Sequence, residues 1–406
     1  MEDHFLMSYN NYSQKKSNTG RRNYGGRSSF RGNRGGGKVQ KIDASRFVKV
    51  ATLKKVEDYA PVNQFVDFDL QDILQTNLKN RGYVIPSPIQ DQAIPIALTG
   101  KDVIGIAGTG TGKTAAFALP MLKRLIADKN SKAIIIAPTR ELAQQIEQEI
   151  RLLAKGTGLS GVILIGGTSM GMQLRDLRHN PRIVIGTPGR IKDHINRGTL
   201  KLRSFNLIAL DEVDRMLDMG FINDVTEILS NVNEVRQSYF FSATIDNKVR
   251  TLIDTFSEEP HMISLQPSAA SDSVHQNVVR YNDRNHKIEQ LHEVLIDQDV
   301  AKVIVFDETQ RGVERLKNEL ADRGFTVDAI HGGKTQGQRQ RSLSRFKNNE
   351  TTILVATDVA ARGIDVADIT HVINYSVPKA YDDYIHRIGR AGRAGKVGFA
   401  LTFIER

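Results

Sequence analysis

Cysteine is absent from all 406 residues. Disulfides, thiolate metal sites and a thiol nucleophile are therefore excluded, and chemistry has to come from oxygen and nitrogen groups. The chain also lacks an 18-residue apolar run, so no stretch of it reads as a membrane-spanning helix. Its start, "MEDHFLMSYNN", is acidic and has no long apolar segment, so no secretory leader is expected there. Arg21-Arg22 is not followed by an apolar stretch either, which argues against a twin-arginine signal. The missing cysteine suits a reducing compartment, and a cytoplasmic location is expected.

Acidic and aliphatic residues are both scarce at the front of the chain. Residues 1–41 hold nine Lys/Arg and two Asp/Glu, a net +7, which leaves only +3 for the other 365 residues. A basic tail on a nearly balanced body points to a polyanionic partner; the plainer reading is a solvated tail that aids solubility. Within it, "SYNNYSQKKSNTGRRNYGGRSSFRGNRGGGK" (8–38) mixes Gly, Asn, Ser and Arg with Tyr9, Tyr12, Tyr24 and Phe30. So little can be buried that disorder is expected. The pairing of arginine with aromatics suits contact with phosphates and unpaired bases.

What is abundant is order of one kind. Hydrophobic residues make up 40% and charged residues 25%, as in a packed globular protein. From about residue 62, short apolar runs alternate with helical stretches: "VIGI" (103–106), "AIIIA" (133–137), "VILI" (162–165), "IVI" (183–185), "LIAL" (207–210) and "YFF" (239–241). Continuous apolar runs separated by helices predict a parallel sheet covered on both faces. The small, polar "LQPSAASDSVHQ" (265–276) reads as a linker. A second series follows: "KVIVF" (302–306), "TVDAI" (326–330), "TILV" (352–355), "HVI" (371–373) and "FALTF" (399–403). The expected organisation is a tail (1–41), a first α/β domain (42–264, lead-in included), the linker (265–276) and a second α/β domain (277–406). Ligands are expected at the carboxyl ends of the strands and in the cleft between domains.

The strand ends carry the chemistry. "VIGI" runs into "AGTGTGKT" (107–114) and then a helix, the context of a phosphate-cradling loop. Gly108, Thr109, Gly110, Thr111 and Gly112 would let backbone N–H groups approach phosphate oxygens. Lys113 would neutralise the β/γ-phosphates, and Thr114 would hold Mg²⁺. "LIAL" delivers Asp211 and Glu212. Beside a phosphate loop the first acid completes the magnesium shell, and the second orients or deprotonates the attacking water. In "HRIGRAGR" (386–393), Arg387, Arg390 and Arg393 are three apart. Glycines break the helix pattern there, which suits arginines reaching toward a γ-phosphate.

Taken in order, "GYVIPSPIQ", "AGTGTGKT", "PTREL", the glycine pair 166–167, "TPGR", "DEVD", "SAT", "ATDVAARGID" and "HRIGRAGR" resemble the motifs of DEAD-box ATP-dependent RNA helicases of superfamily 2. The resemblance covers about residues 62–406. It implies two tandem RecA-like domains, use of ATP and Mg²⁺, and sequence-nonspecific binding of RNA by a monomer.

The resemblance also implies individual roles. Phe65, 17 residues before Gly82, would stack on adenine, and Gln90 would bond the adenine edge. Ser87-Pro88-Ile89-Gln90 is at the same time a good helix-capping box, and Phe65 could equally be core. Asp365 would meet the ribose, and Arg390 and Arg393 the γ-phosphate. Pro138, Thr139, Arg140, Gly167, Thr187, Arg190, Arg339 and Thr357 would grip RNA. Asp214, Ser242, Thr244 and His386 would couple nucleotide state to domain closure. Three departures stand out: Val213 for the usual Ala, Gly108 where many members carry Gln, and a loose "FDET" (306–309). The expected activity is RNA-dependent ATP hydrolysis with local unwinding of short duplexes. An ATP-gated RNA clamp or annealer, and a DNA translocase on the same fold, are the alternatives.

Overall fold

The computed structural model describes residues 42–51, 59–108, 110–265, 272–361, 366, 368–392 and 396–406. The tail 1–41, most of the linker, Thr109, Asp365 and Arg393 lie outside the described residues.

Two wholly parallel sheets organise the chain. The first contains β1 (Val103–Ile106), β2 (Ala133–Ile136), β3 (Gly161–Leu164), β4 (Ile183–Gly186), β5 (Leu207–Asp211), β6 (Gln237–Ser242) and β7 (His261–Ser264). Its spatial order is β3-β4-β2-β5-β6-β1-β7. The second contains β8 (Val274–Tyr281), β9 (Val303–Phe306), β10 (Val327–Ile330), β11 (Ile353–Ala356), β12 (His371–Asn374) and β13 (Gly398–Glu405), ordered β10-β11-β9-β12-β13-β8.

Alternation within the strands explains the layering. Ile134 and Ile136 face one apolar cluster while Ile135 faces another; Leu207 and Ala209 part from Ile208 and Leu210 in the same way. In the second sheet Val303 and Val305 part from Ile304 and Phe306. Both faces of both sheets are thus apolar and covered, as parallel strands require. The covering helices are locally encoded. In Arg140–Leu153, Thr139 caps the first turn by accepting from Leu142 N at 3.2 Å. Leu142, Ile146, Ile150 and Leu153 form its buried stripe.

Two boundaries differ from expectation. β8 starts at Val274, inside the stretch read as linker, because Val274 and Gln276 pair with Gly398 and Ala400 and are buried. The lead-in 42–51 does not join the first domain. Phe47 is 0% exposed within the core of the second sheet, and Lys49 bridges to Gln276 on β8. An aromatic on a short 3₁₀ turn found an open sheet edge there.

The sheet order sorts the motifs. β5, β6 and β1 are neighbours and end in the acid pair, "SAT" and the phosphate loop, while β3, β4 and β2 end in the glycine pair, "TPGR" and "PTREL". Register keeps these ends level, with Ile106 opposite Ser242 and Ile136 opposite both Gly186 and Leu210.

One buried histidine makes the second domain acid-sensitive. His371, at the start of β12, stacks on Phe399 with ring centroids 4.9 Å apart, and burial lowers its pKa to about 4. Below pH 6.5 the unfolded chain binds a proton that the folded one refuses, so stability falls as pH drops from about 6.5 to 4. His371→Phe, which keeps the stack, should flatten denaturant-measured stability over that window by on the order of 1–3 kcal/mol.

Candidate active site

Helix Lys113–Ala127 begins from Gly112, whose φ of +92° is a left-handed conformation. A Cβ there would sit 2.4 Å from Gln90 Nε2, so the position is closed to other residues on two counts. Gln90 is buried. It accepts from Ser87 N at 2.9 Å, the capping box, and donates to Gly112 O at 3.0 Å, while Ser87 Oγ donates to Thr111 O at 2.7 Å. Gln90 therefore braces the phosphate loop against its own helix. Gly108 has open space where a Cβ would go, so its departure from the family's Gln costs no packing.

Phe65 does not offer a stacking face. It is 2% exposed and meets Phe68 and Tyr83 edge-on at 5.6 and 5.3 Å. The core reading of Phe65 holds, and the partly exposed aromatic of this region is Tyr83 inside "GYVIPSPIQ". Its hydroxyl donates to Glu149 at 2.8 Å.

Lys113 is buried, donates to Ala107 O at 3.1 Å and lies 3.9 Å from Asp211 Oδ1. Burial, with Glu212 adding to it and Lys113 opposing, pushes the Asp211 carboxyl up to about 6. Glu212 follows with φ +55° and ψ +54°, a left-handed conformation uncommon for a non-glycine residue. Burial also penalises its charge, but Arg215, Lys113 and Arg390 outweigh that and hold its pKa below the ordinary value. Arg215 Nη1 donates to Glu212 Oε2 at 2.6 Å. So the two adjacent acids differ: one is held ionised, the other is costly to ionise until a cation arrives.

Asp214 points elsewhere. Its Oδ2 accepts from Ala243 N (3.0 Å), Thr244 N (2.9 Å) and Thr244 Oγ1 (3.1 Å). Ser242 Oγ accepts from Asp214 N at 3.2 Å and donates to Thr244 O at 2.7 Å. The acid motif and "SAT" are thereby joined into one unit. Val213 is 0% exposed in the apolar cluster with Met216 and Phe240, so its extra methyls fill core rather than crowd the site.

The second domain meets this unit directly. Arg390 is buried near enough to Glu212 to lower its pKa. His386 is held below its ordinary pKa by burial and by the Arg215 charge, with Asp214 opposing. Arg215, Phe306, Asp358, His386, Arg387 and Arg390 line one small cleft. Arg387 is not a phosphate candidate. Its guanidinium grips both oxygens of Asp358 at 2.5 and 2.7 Å and donates to Asn374 Oδ1 and Ser376 O.

A second meeting point lies beyond the carboxyl ends of β2, β3 and β4. Arg339 Nη2 donates to Glu141 Oε1 at 2.9 Å, and Gln336 Nε2 reaches Glu141 and Gln144, each at 3.2 Å. Arg140 packs so closely on the glycine pair that a Cβ at Gly167 would sit 2.3 Å from its Nη1. Burial and the Arg339 charge lower the Arg140 pKa, so arginines from the two domains face each other. Among the described residues, Arg190 Nη1 and Arg339 Nε are buried without a hydrogen-bond partner. Unpaired buried guanidinium N–H groups are costly, and a phosphate would satisfy them. Thr187 precedes the helix Pro188–Asn196 that carries Arg190, with its N–H on Leu164 O; Thr357 N–H bonds Ile330 O; Pro138 and Thr139 are buried at the end of β2.

Arg215, Glu141 and Gln336 escaped the sequence reading. Arg215 carried a signal, since a base three residues after Glu212 on a helix falls on the same face. Glu141 and Gln336 had none, because their partners lie 195 residues apart in the chain.

Two parallel sheets that meet over a phosphate loop, an acid pair and an opposing arginine define a two-domain nucleotide-driven machine. Residues 87–252 match the DEAD/DEAH box helicase model, and 286–395 match the helicase conserved C-terminal domain. DEAD-box ATP-dependent RNA helicase CshA of Bacillus licheniformis is 43% identical over 342 residues, 84% of this chain and 70% of that protein. The structure of S. cerevisiae Dbp5 bound to RNA and ADP BeF3 is similar at a TM-score of 0.75 and 28% identity, covering 84% of this chain and 89% of that one. Mss116p bound to ssRNA and AMP-PNP is similar at 0.75 and 31%, covering 83% and 73%. The chain belongs to the DEAD-box helicase family.

Asp211→Asn removes a charge that burial makes costly. In buffer free of nucleotide and divalent cations at pH 7.5, it should raise thermal stability by on the order of 1–3 kcal/mol. Turnover should be lost. The gain should shrink as pH falls from 6 toward 4, because folded Asp211 is then already protonated. A destabilised Asn variant at pH 7.5 would contradict this.

Proposed function

We propose that the chain is an ATP-dependent RNA helicase that grips RNA phosphates across both domains and parts short duplexes locally as those domains close. One observation carries the reading: a single interface brings Arg390 to Glu212 at one end and Arg339 to Glu141 and Arg140 at the other. A nucleotide between the first pair and a polyanion along the second would each favour the same closed arrangement, and so favour each other.

In this reading the loop 107–112 cradles the triphosphate, Lys113 leaves Ala107 O for the β/γ-phosphates, and Tyr83 with Gln90 borders the base. Thr114 and Asp211 fit a magnesium ion held partly through water: the threonine is half-exposed beside Lys113, and a cation would relieve the buried Asp211 carboxylate. When bound, the ion neutralises charge on the phosphate oxygens. Glu212, kept ionised by Arg215, orients a water and takes its proton. The water oxygen bonds to the γ-phosphorus as the bond to the ADP oxygen breaks, and Arg390 stabilises the charge on the transferring group. Loss of the γ-phosphate removes Arg390's partner, the domains part and RNA leaves. Arg140, Arg190 and Arg339 contact phosphate rather than bases, which gives little sequence preference. Asp365 at the ribose and Arg393 at the γ-phosphate complete the assignment, and the protein acts as a cytoplasmic monomer.

ATP hydrolysis should rise with RNA and not with DNA, and short RNA duplexes should come apart. Glu212→Gln should lower kcat by about 10²- to 10⁴-fold while RNA binding persists. Arg190→Gln should weaken RNA binding uniformly across sequences and lower its salt slope by about one. Absence of RNA stimulation together with an unaffected Glu212→Gln variant would refute the assignment.

A further inference from the structure

The segment before the first domain reaches past it. Asp43 starts a short 3₁₀ turn, Ala44–Phe47, by accepting from Ser45 N at 2.8 Å. Phe47 enters the second domain's core, 4.7 Å centroid to centroid from Tyr384, and Arg46 lies 3.8 Å over the Tyr381 ring. Lys49 exchanges both backbone hydrogen bonds with Gln276 on β8, at 3.0 and 2.8 Å, and its Nζ meets Asp272 at 2.5 Å. Gln276 Oε1 accepts from Tyr384 OH at 3.0 Å, and Ala51 N donates to His275 Nδ1 at 3.1 Å.

These contacts fall on two elements, β8 and a helix packed against it. Tyr381 and Tyr384 belong to the helix Tyr381–Ile388, which carries His386 and runs straight into Arg390. The loop beyond is tied to β8 as well, since Ser273 Oγ donates to Gly392 O at 2.8 Å. A Cβ at Gly392 would lie within 3 Å of Ser273 and Val274. Helix, arginine and loop therefore rest on β8 and on the segment laid along its edge.

We infer that residues 43–51 are a positioning strap for Arg390, pinned by Phe47 against the helix that leads into it. The strap touches neither the phosphate loop nor the acid pair in any described contact. Its effect is on the geometry of the arginine, and a misplacement of about 1 Å at a reacting centre costs up to about a hundredfold in rate. This inference rests on the assignment of Arg390 to the γ-phosphate.

The test uses the full chain and reads RNA-stimulated ATP hydrolysis. Phe47→Ala should lower kcat by about ten- to a hundredfold. ATP affinity measured without RNA should stay unchanged, because the phosphate loop and Gln90 sit on the first domain. Phe47→Leu should restore most of kcat. In an Arg390→Ala background, Phe47→Ala should have no further effect on kcat, the signature of residues acting as a unit. Arg46→Ala, at an exposed position where folding is not at risk, should lower kcat about two- to fivefold with the same loss of effect in that background. An inactive parent chain would overturn the helicase assignment. An active parent with unchanged kcat in both strap variants, or equal losses with and without Arg390, would overturn the strap alone.

Discussion

Glu212 is ionised in a place that excludes water, and the structure is arranged around keeping it so. Three cations do this, and they come from three places: Lys113 from the phosphate loop, Arg215 from the next turn of the same chain, and Arg390 from the other domain. Only the third can be withdrawn by a rigid-body movement. The charge of Glu212, the base of the proposed mechanism, is therefore tied to the position of the second domain through plain electrostatics in a medium where such interactions are strong.

Sheet order provides the lateral half of this design. The strands that end in the phosphate loop, the acid pair and "SAT" lie together, and those that end in Arg140, the glycine pair and "TPGR" lie beside them, so both sets open on one edge. Asp214 holds "SAT" to the acid motif by three accepted hydrogen bonds, so a shift at one is transmitted to the other without slack. At the second meeting point, two arginines from opposing domains tolerate each other across a single carboxylate, Glu141. That arrangement leaves positive charge in excess, which is what the proposed polyanion would neutralise.

How much of this was legible in the sequence depends on whether the signal was local. "LIAL" followed by two acids, and "VIGI" followed by a glycine loop, announce strand, turn and chemistry within a dozen residues. β7 was harder to see, because His261, Met262 and Ser264 are exposed on an edge strand and break the apolar run. β8 was obscured by buried polar Gln276, whose partners are a backbone and a tyrosine more than a hundred residues away. Phe65 misled for a related reason. Spacing marks a position, but only packing decides whether a ring shows its face or its edge, and Phe65 sits in the core with Phe68 and Tyr83 edge-on to it. Arg387 is the same case among the arginines: its periodicity matched its neighbours, yet a bidentate partner at Asp358 had already claimed it.

The placement of Phe47 also sets a condition on synthesis. The first domain is inserted, in chain order, between one piece of the second domain and all the rest of it. As the chain emerges, Phe47 comes out early, while the strand that completes its pocket's sheet, β13, ends at Glu405. At about 5–20 residues per second the wait is roughly 20–70 s. Through that interval an apolar side chain beside a strongly basic tail has no home. The second domain can close its core only when residues 43–51 and β13 are both present, so the segment made before the first domain waits on β13.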